Sequence, residues 1–194
     1  AESRSSLSVV VSAEAGDVAR ASHIVLPGVG AFADCMAGLA RAPGMIEALG
    51  RAVRERARPF LGICVGMQLL AEWGVEHGRH PGLGWIAGEV RRLEPRFKPG
   101  DPALKVPHMG WNDLAFARPD HKLLAGLAQG AHVNFVHSYA FHPAAPDCVL
   151  ASADHGGQVV AAVAQGNIAG TQFHPEKSQA VGLRLIANFL DWRP

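Results

Sequence analysis

Charge is scarce in this sequence and favours neither sign. Only 18% of its 194 residues are Asp, Glu, Lys or Arg, and 18 basic against 17 acidic side chains leave a formal net charge of +1. A surface that binds polyanions needs a basic excess and a solvating tail needs an acidic one, so nucleic acid is not an expected partner. Cysteine is equally sparse. Cys35, Cys64 and Cys148 are odd in number, irregularly spaced and without a CxxC pair. That excludes a disulfide framework and a thiolate metal site, and it fits a reducing, cytoplasmic setting. No run approaches the ~18 apolar residues of a membrane span, and the opening AESRSS has no apolar core of the kind a secretory leader carries. Neither a membrane segment nor a leader is expected. Repeats and low-complexity linkers are also missing, and at ~150 residues per domain the chain, 1–194, reads as one domain.

What is present is apolar: 48% of the residues, enough to exclude disorder and to fill a buried sheet. Short apolar runs bounded by Gly and Pro alternate with helical patterns, the mark of βα units around a parallel sheet. Strands are expected at Leu7 to Val11, His23 to Leu26 and Pro59 to Cys64, with a short helical turn at Asp17 to Ala21. Met45, Ile46, Leu49, Ala52 and Val53 recur at three-and-four spacing opposite Arg51, Arg54 and Glu55, which predicts an amphipathic helix. A further helix is expected over Val65 to Trp73. From Gly84 strands dominate: Trp85 to Leu93, Lys105 to Phe116, Ala131 to Phe141, Cys148 to Ser152, and Val159 to Gln165 paired with Ile168 to Phe173 through a QGN hairpin. Such a run predicts an antiparallel extension of the parallel part. A last helix follows Pro175, with Val181, Leu185 and Phe189 on its apolar face.

One junction carries chemistry. Gly62-Ile63-Cys64-Val65-Gly66 has the form G-x-C-x-G between a buried strand and a helix, the nucleophile-elbow pattern with cysteine in place of serine. Glycine on both sides lets the chain turn tightly and the helix pack against the strand. Cys64 would then sit at a helix N-terminus, where the dipole favours a thiolate, with the Val65 N–H placed to stabilise an oxyanion. The same pattern also arises when a cysteine is merely a small buried hydrophobe. Cys35 and Cys148 lack this setting and read as core residues.

A thiolate needs an acid–base partner. His77, His80, His121 and His155 fall in loops or at turns and read as solvated; His132, His137 and His142 match no closed metal site, and no metal is expected. His174 differs, because it ends a strand and is followed by Pro175 and Glu176. Pro175 forces a bend, and a His and a Glu two residues apart on a bend can place a carboxylate against the imidazole. Cys64, His174 and Glu176 thus satisfy the logic of nucleophile, base and orienting group.

With GICVGMQLL around Cys64 and QFHPE around His174 and Glu176, the sequence resembles the class I (triad-type) glutamine amidotransferases. LPGVGAFADC, VPHMGWN, FVHSYAF and HPEKSQ make it similar, within that class, to the glutaminase subunits of imidazole glycerol phosphate synthase. The resemblance implies an α/β, three-layer, flavodoxin-like fold with a mostly parallel central sheet and an antiparallel extension. Members normally open with a strand and helix carrying Asp-Tyr-Gly-x-Gly-Asn. This sequence has no such motif, so that first strand and helix are expected to be missing from it.

The resemblance also implies glutamine hydrolysis through Cys64, His174 and Glu176, without a cofactor. It assigns the oxyanion hole to the backbone of Val65 and Val29, and the glutamine head to Gln68 and the backbone around Gly30, Ser138 and Tyr139. Gly28 and Gly30 flank Val29 and would let its peptide rotate, so that the hole forms when a partner binds. The implied partner is a (β/α)8 cyclase that receives the ammonia in histidine biosynthesis, met by Trp111, Asn112 and Lys177. Two other readings remain at this stage: the glutaminase of another synthase, such as pyridoxal phosphate synthase, or a catalytically impaired fragment that only binds the partner.

Overall fold

The computed structural model describes residues 7–96 and 104–194; the leader-free reading of residues 1–6 lies outside them. Along the chain run α1 (Ala15–Arg20), β1 (Ile24–Gly28), α2 (Phe32–Arg41) and α3 (Met45–Leu49), which continues as a π-helical stretch over Gly50–Glu55. Then come β2 (Phe60–Cys64), α4 (Val65–Gln68), the two-residue strands β3 (Trp73–Gly74) and β4 (His80–Pro81), β5 (Gly88–Arg92), β6 (His108–Asp113) and β7 (Ala115–Phe116). The last part holds β8 (His132–His137), β9 (Tyr139–Pro143), β10 (Val149–Asp154), β11 (Gln158–Gln165), β12 (Ile168–Thr171) and α5 (Gln179–Asp191).

The main sheet has six strands in the order β1-β2-β12-β11-β10-β7. β1, β2 and β12 are parallel, and from β12 outward every pair is antiparallel, the extension anticipated above. The β11–β12 turn is the expected hairpin, with Gly166 supplying the φ of +58° that its two-residue loop requires. Alternation along the strands feeds two cores. Phe60 joins Phe32, Leu49, Val53 and Met67 under α2, α3 and α4. Its neighbour Leu61 joins Phe173, Leu185, Phe189 and Trp192 under α5. Helices therefore cover both faces of the sheet, in three layers. A four-stranded sheet (β4-β3-β5-β9) and a two-stranded one (β6-β8) flank it.

Three expectations are corrected. Leu7 to Val11 is not a strand: residues 7–14 are irregular, and Val11 is fully exposed. A β-branched run has strand propensity, but it needs a ladder beside it, and none of the described strands pairs with this one. The helix over Val65 to Trp73 stops at Gln68. Beyond it the carbonyls of Leu69, Leu70 and Ala71 accept from Leu83, Trp85 and Gly84 instead of from the next helical turn, so tertiary hydrogen bonds override the local pattern. The strand over Ala131 to Phe141 breaks at Ser138, where the chain leaves the β6 ladder for the β5 ladder and the Ser138 carbonyl accepts from Leu93 N at 2.8 Å. That break matters for the site.

Candidate active site

At the end of β2 the backbone turns on Cys64 itself, with φ 55° and ψ −114°, a conformation that costs a side-chain-bearing residue of order 1–3 kcal/mol and persists only where the surroundings enforce it. The surroundings are glycines. A Cβ on Gly66 would run into the Leu26 carbonyl oxygen, and one on Gly62 into the Gly66 carbonyl. The G-x-C-x-G spacing is thus what lets α4 lie directly against β1 and β2, and it leaves Cys64 buried at the junction.

The thiol is not activated in the way the elbow alone suggested. Burial pushes the Cys64 pKa up to about 11, and the Val65 N–H donating to the sulfur only partly offsets this. α4 is a single turn, so its dipole is small, and desolvation of the thiolate outweighs it. The free chain therefore holds a protonated thiol that needs a base.

The candidate base, His174, is fixed from three sides. His174 N donates to the Asn134 carbonyl at 3.0 Å, the Ser178 hydroxyl donates to the His174 carbonyl at 2.7 Å, and the same hydroxyl accepts from Asn134 N at 3.0 Å. Pro175 opens the 3-10 turn that brings Glu176 back against the ring. The Glu176 Oε1 to His174 Nδ1 distance is 2.8 Å, which assigns the proton to Nδ1 and leaves Nε2 as the basic nitrogen. Nε2 is buried and, among the described residues, has no hydrogen-bond partner.

Cys64 and His174 line one cavity of ≈ 370 Å³. Val29 and Gly30 border it from the loop after β1, Val65 and Gln68 from α4, Ser138 and Tyr139 from the break between β8 and β9, and Lys177 from the turn after His174. Nearly all of the residues singled out above thus converge. Glu176 stands behind His174. Trp111, half exposed on β6, lies outside the cavity beside Ser178 and Gln179. Asn112 is turned inward: its amide nitrogen binds the Asp154 carbonyl at 2.8 Å and approaches His108 Nε2 at 3.1 Å. A wider depression of ≈ 740 Å³ near Arg118, Lys122 and Arg193 has no thiol or hydroxyl side chain in its lining.

Sequence reasoning missed several residues here. Glu76 lines the cavity and caps α2, accepting from Phe32 N at 2.9 Å; a carboxylate soon after the elbow helix was its only signal. Gln172, fully buried, points its amide at Cys64. His137 and His155, read from the sequence as part of an open strand series and as solvated, meet His108, to which no role was assigned: His108 Nδ1 lies 3.1 Å from the buried His137 Nε2, and His155 stacks on His108 at 4.1 Å. Burial lowers the pKa of His108 to about 3 and that of His137 to about 4, so both are neutral near pH 7. Their partners come from β6, β8 and the β10–β11 turn, a juxtaposition that no local pattern announces.

The family model "Glutamine amidotransferase class-I" matches residues 8–192. The chain is 60% identical over 186 residues to "Imidazole glycerol phosphate synthase subunit HisH" of Rhodospirillum rubrum, covering 96% of this chain and 85% of the relative. It is 56% identical to the protein of the same name from Caulobacter vibrioides, covering 96% and 84%. With that of Brucella abortus it shares 52% over 196 residues, covering 100% and 88%. Among solved structures, a glutamine amidotransferase superposes with a TM-score of 0.66 at 22% identity, over 93% of this chain and 83% of that one. Another, from Thermotoga maritima, gives 0.55 at 19%, over 88% and 63%. At such identities these two speak for the fold.

Proposed function

The chain belongs to the class I glutamine amidotransferases, and from that premise we propose that it is the glutaminase subunit of imidazole glycerol phosphate synthase. The observation that carries the chemistry is the unpartnered Nε2 of His174, held by Glu176 in the same cavity as the strained Cys64. The relatives' shared name supports the choice of synthase.

Glutamine enters with its side-chain amide toward Cys64. His174 Nε2 takes the thiol proton as Sγ bonds to the amide carbon, and the carbonyl oxygen becomes an oxyanion held by the N–H groups of Val65 and Val29. The imidazolium, stabilised by Glu176, returns the proton to the amide nitrogen, and ammonia leaves a γ-glutamyl thioester. Water, deprotonated by the same Nε2, cleaves the thioester to glutamate and restores the thiol. No step calls for a metal or an organic cofactor. At the other end of the substrate, Glu76 takes the α-ammonium. Both Gln68 Nε2 hydrogens are committed to the Tyr139 carbonyl and Gln172 Oε1, so only its Oε1 can face the ligand.

Ammonia is a product worth guarding, and the apolar side chains around this face support a docked acceptor. Val29 is 79% exposed, Met109 67% and Trp111 49%, the kind of anchors a subunit interface buries. The partner is the cyclase subunit, a (β/α)8 barrel, with Trp111 and Lys177 at the contact, and the chain acts as one amidotransferase domain in the cytoplasm. The deciding experiment is glutamate release by the chain alone and with the cyclase and its ligand. Release that rises strongly in the complex is expected. Equal rates would remove the coupling, and unchanged hydrolysis by Cys64→Ser would remove the mechanism.

A further inference from the structure

Gln172, in the strand end that leads to His174, has no part in the mechanism above, yet its side chain is fully buried and touches the nucleophile: its Nε2 donates to Cys64 Sγ at 3.7 Å. An amide can face a sulfur with either its N–H or its carbonyl, with opposite effects on a thiolate. Neighbouring hydrogen bonds decide which. Gln68 Nε2 donates at 3.0 Å to Gln172 Oε1, so the oxygen of Gln172 faces Gln68 and its nitrogen faces Cys64. The other hydrogen of Gln68 Nε2 goes to the Tyr139 carbonyl at 2.9 Å, which fixes Gln68 in turn.

The polarity can be followed further. The Tyr139 carbonyl also accepts from His137 Nδ1 at 2.8 Å, so His137 carries its proton there and offers Nε2 as acceptor. His108 Nδ1 donates to that Nε2 at 3.1 Å, and His108 Nε2 then accepts from the Asn112 amide at 3.1 Å. His137 Nδ1 and Gln68 Nε2 thus converge on the Tyr139 carbonyl, one donor for each of its lone pairs, and the direction of donation turns there. Gln68 is held by its own two acceptors: turning its amide over would set its oxygen against both the Tyr139 carbonyl and Gln172 Oε1.

We propose that Gln172 is a positioning residue for thiolate formation at Cys64, its amide N–H aimed at the sulfur because Gln68, itself fixed by the Tyr139 carbonyl, donates to Gln172 Oε1. The inference rests on the glutaminase reading and deepens it: the site offers its nucleophile a hydrogen-bond donor separate from the base. The other titratable groups around the sulfur and its cavity are His174 and Lys177 in the turn after β12, Glu176 behind His174, Cys35 on α2, Glu76 after β3, and His137 and Tyr139 at the β8–β9 break.

The test is the pH dependence of Cys64 alkylation by iodoacetamide, followed on the Cys64 peptide by mass spectrometry, together with kcat and KM for glutamine. Gln172→Met keeps the volume and removes the donor. Its alkylation midpoint is expected to rise by about one pH unit, with a roughly tenfold lower kcat and a nearly unchanged KM. A second variant keeps the test open. Gln172→Glu retains the size and an acceptor for Gln68 but turns a carboxylate oxygen toward the sulfur, and its midpoint should rise further than that of Gln172→Met. A merely structural role predicts an unmoved midpoint in whichever variant folds. If Gln172→Met does not fold, Gln172→Glu decides alone. A profile that superposes on the parent's in either folded variant would overturn the proposal. Loss of the glutaminase reading would show separately, as hydrolysis surviving in Cys64→Ser.

Discussion

Glu176 Oε1 lies 2.8 Å from His174 Nδ1, and that one contact decides which imidazole nitrogen is presented to the cavity that holds Cys64. Glu176 is itself half exposed, so its charge is screened and its main contribution is the tautomer it selects. Glu176→Gln can still place an acceptor oxygen at Nδ1 but loses the charge that stabilises the imidazolium. Its kcat is expected to fall about 10- to 100-fold, at or below the lower end for general acid–base catalysis, with KM little changed. Steady-state kinetics at saturating glutamine give the answer, and a kcat equal to that of the parent would deny Glu176 this role.

The thiol of Cys64 titrates late. Because burial raises its pKa to about 11, the thiolate fraction of the free chain at pH 7 is small and grows about tenfold per pH unit until the midpoint is reached. Alkylation of Cys64 in the isolated chain is therefore expected to accelerate continuously from neutral pH upward. A rate that levels off below about pH 8 would mean that His174 already holds the proton in the free state.

Much of this was legible from residues alone, and the reason is local. The elbow is written in five consecutive residues because tight turning and close packing both demand glycine at Gly62 and Gly66. The contact between His174 and Glu176 is written in three, because Pro175 forces the bend that joins them. The hairpin at Gly166 was legible for the same reason. What escaped depends on the rest of the chain. The expected helix after Cys64 is cut short by carbonyls that find partners more than ten residues downstream, and the β-branched run from Leu7 to Val11 finds no ladder. Gln172 and the histidine group come from strands distant in sequence, and their roles exist only in the pairing. The contacts of Asn112 with His108 and the Asp154 carbonyl are of the same kind, since they join strands far apart in sequence.

Glu76 has two tasks that one substitution can separate. As a cap it accepts from Phe32 N at 2.9 Å beside the loop carrying Val29 and Gly30; as a carboxylate lining the cavity it is the group proposed above to take the substrate's α-ammonium. Glu76→Gln retains an acceptor for Phe32 N and discards the charge. Stability is expected to stay near the parent's while KM for glutamine rises about 10- to 100-fold, the size of a lost charge-assisted hydrogen bond. Glu76→Ala should lose both and lower the melting temperature as well. Equal KM values in Glu76→Gln and the parent would leave only the cap.

The buried histidines tie stability to pH, and the sign follows from their pKa values. Burial holds His108 near pKa 3 and His137 near 4, below the ~6.5 each would have in the unfolded chain. Between about pH 4 and 6.5 the unfolded state therefore binds protons that the folded state refuses, and the free energy of unfolding rises with pH across that window. Stability is expected to be fully present above about pH 7 and to be lost progressively as the pH falls toward 4. His108→Asn keeps a donor for His137 but removes one such group, so its unfolding free energy should depend on pH less steeply, by about one proton, between roughly pH 5 and 6. Denaturant unfolding of parent and variant at several pH values measures the two slopes. Identical slopes would mean that His108 is protonated in the folded chain, which the Asn112 amide donating to His108 Nε2 does not permit.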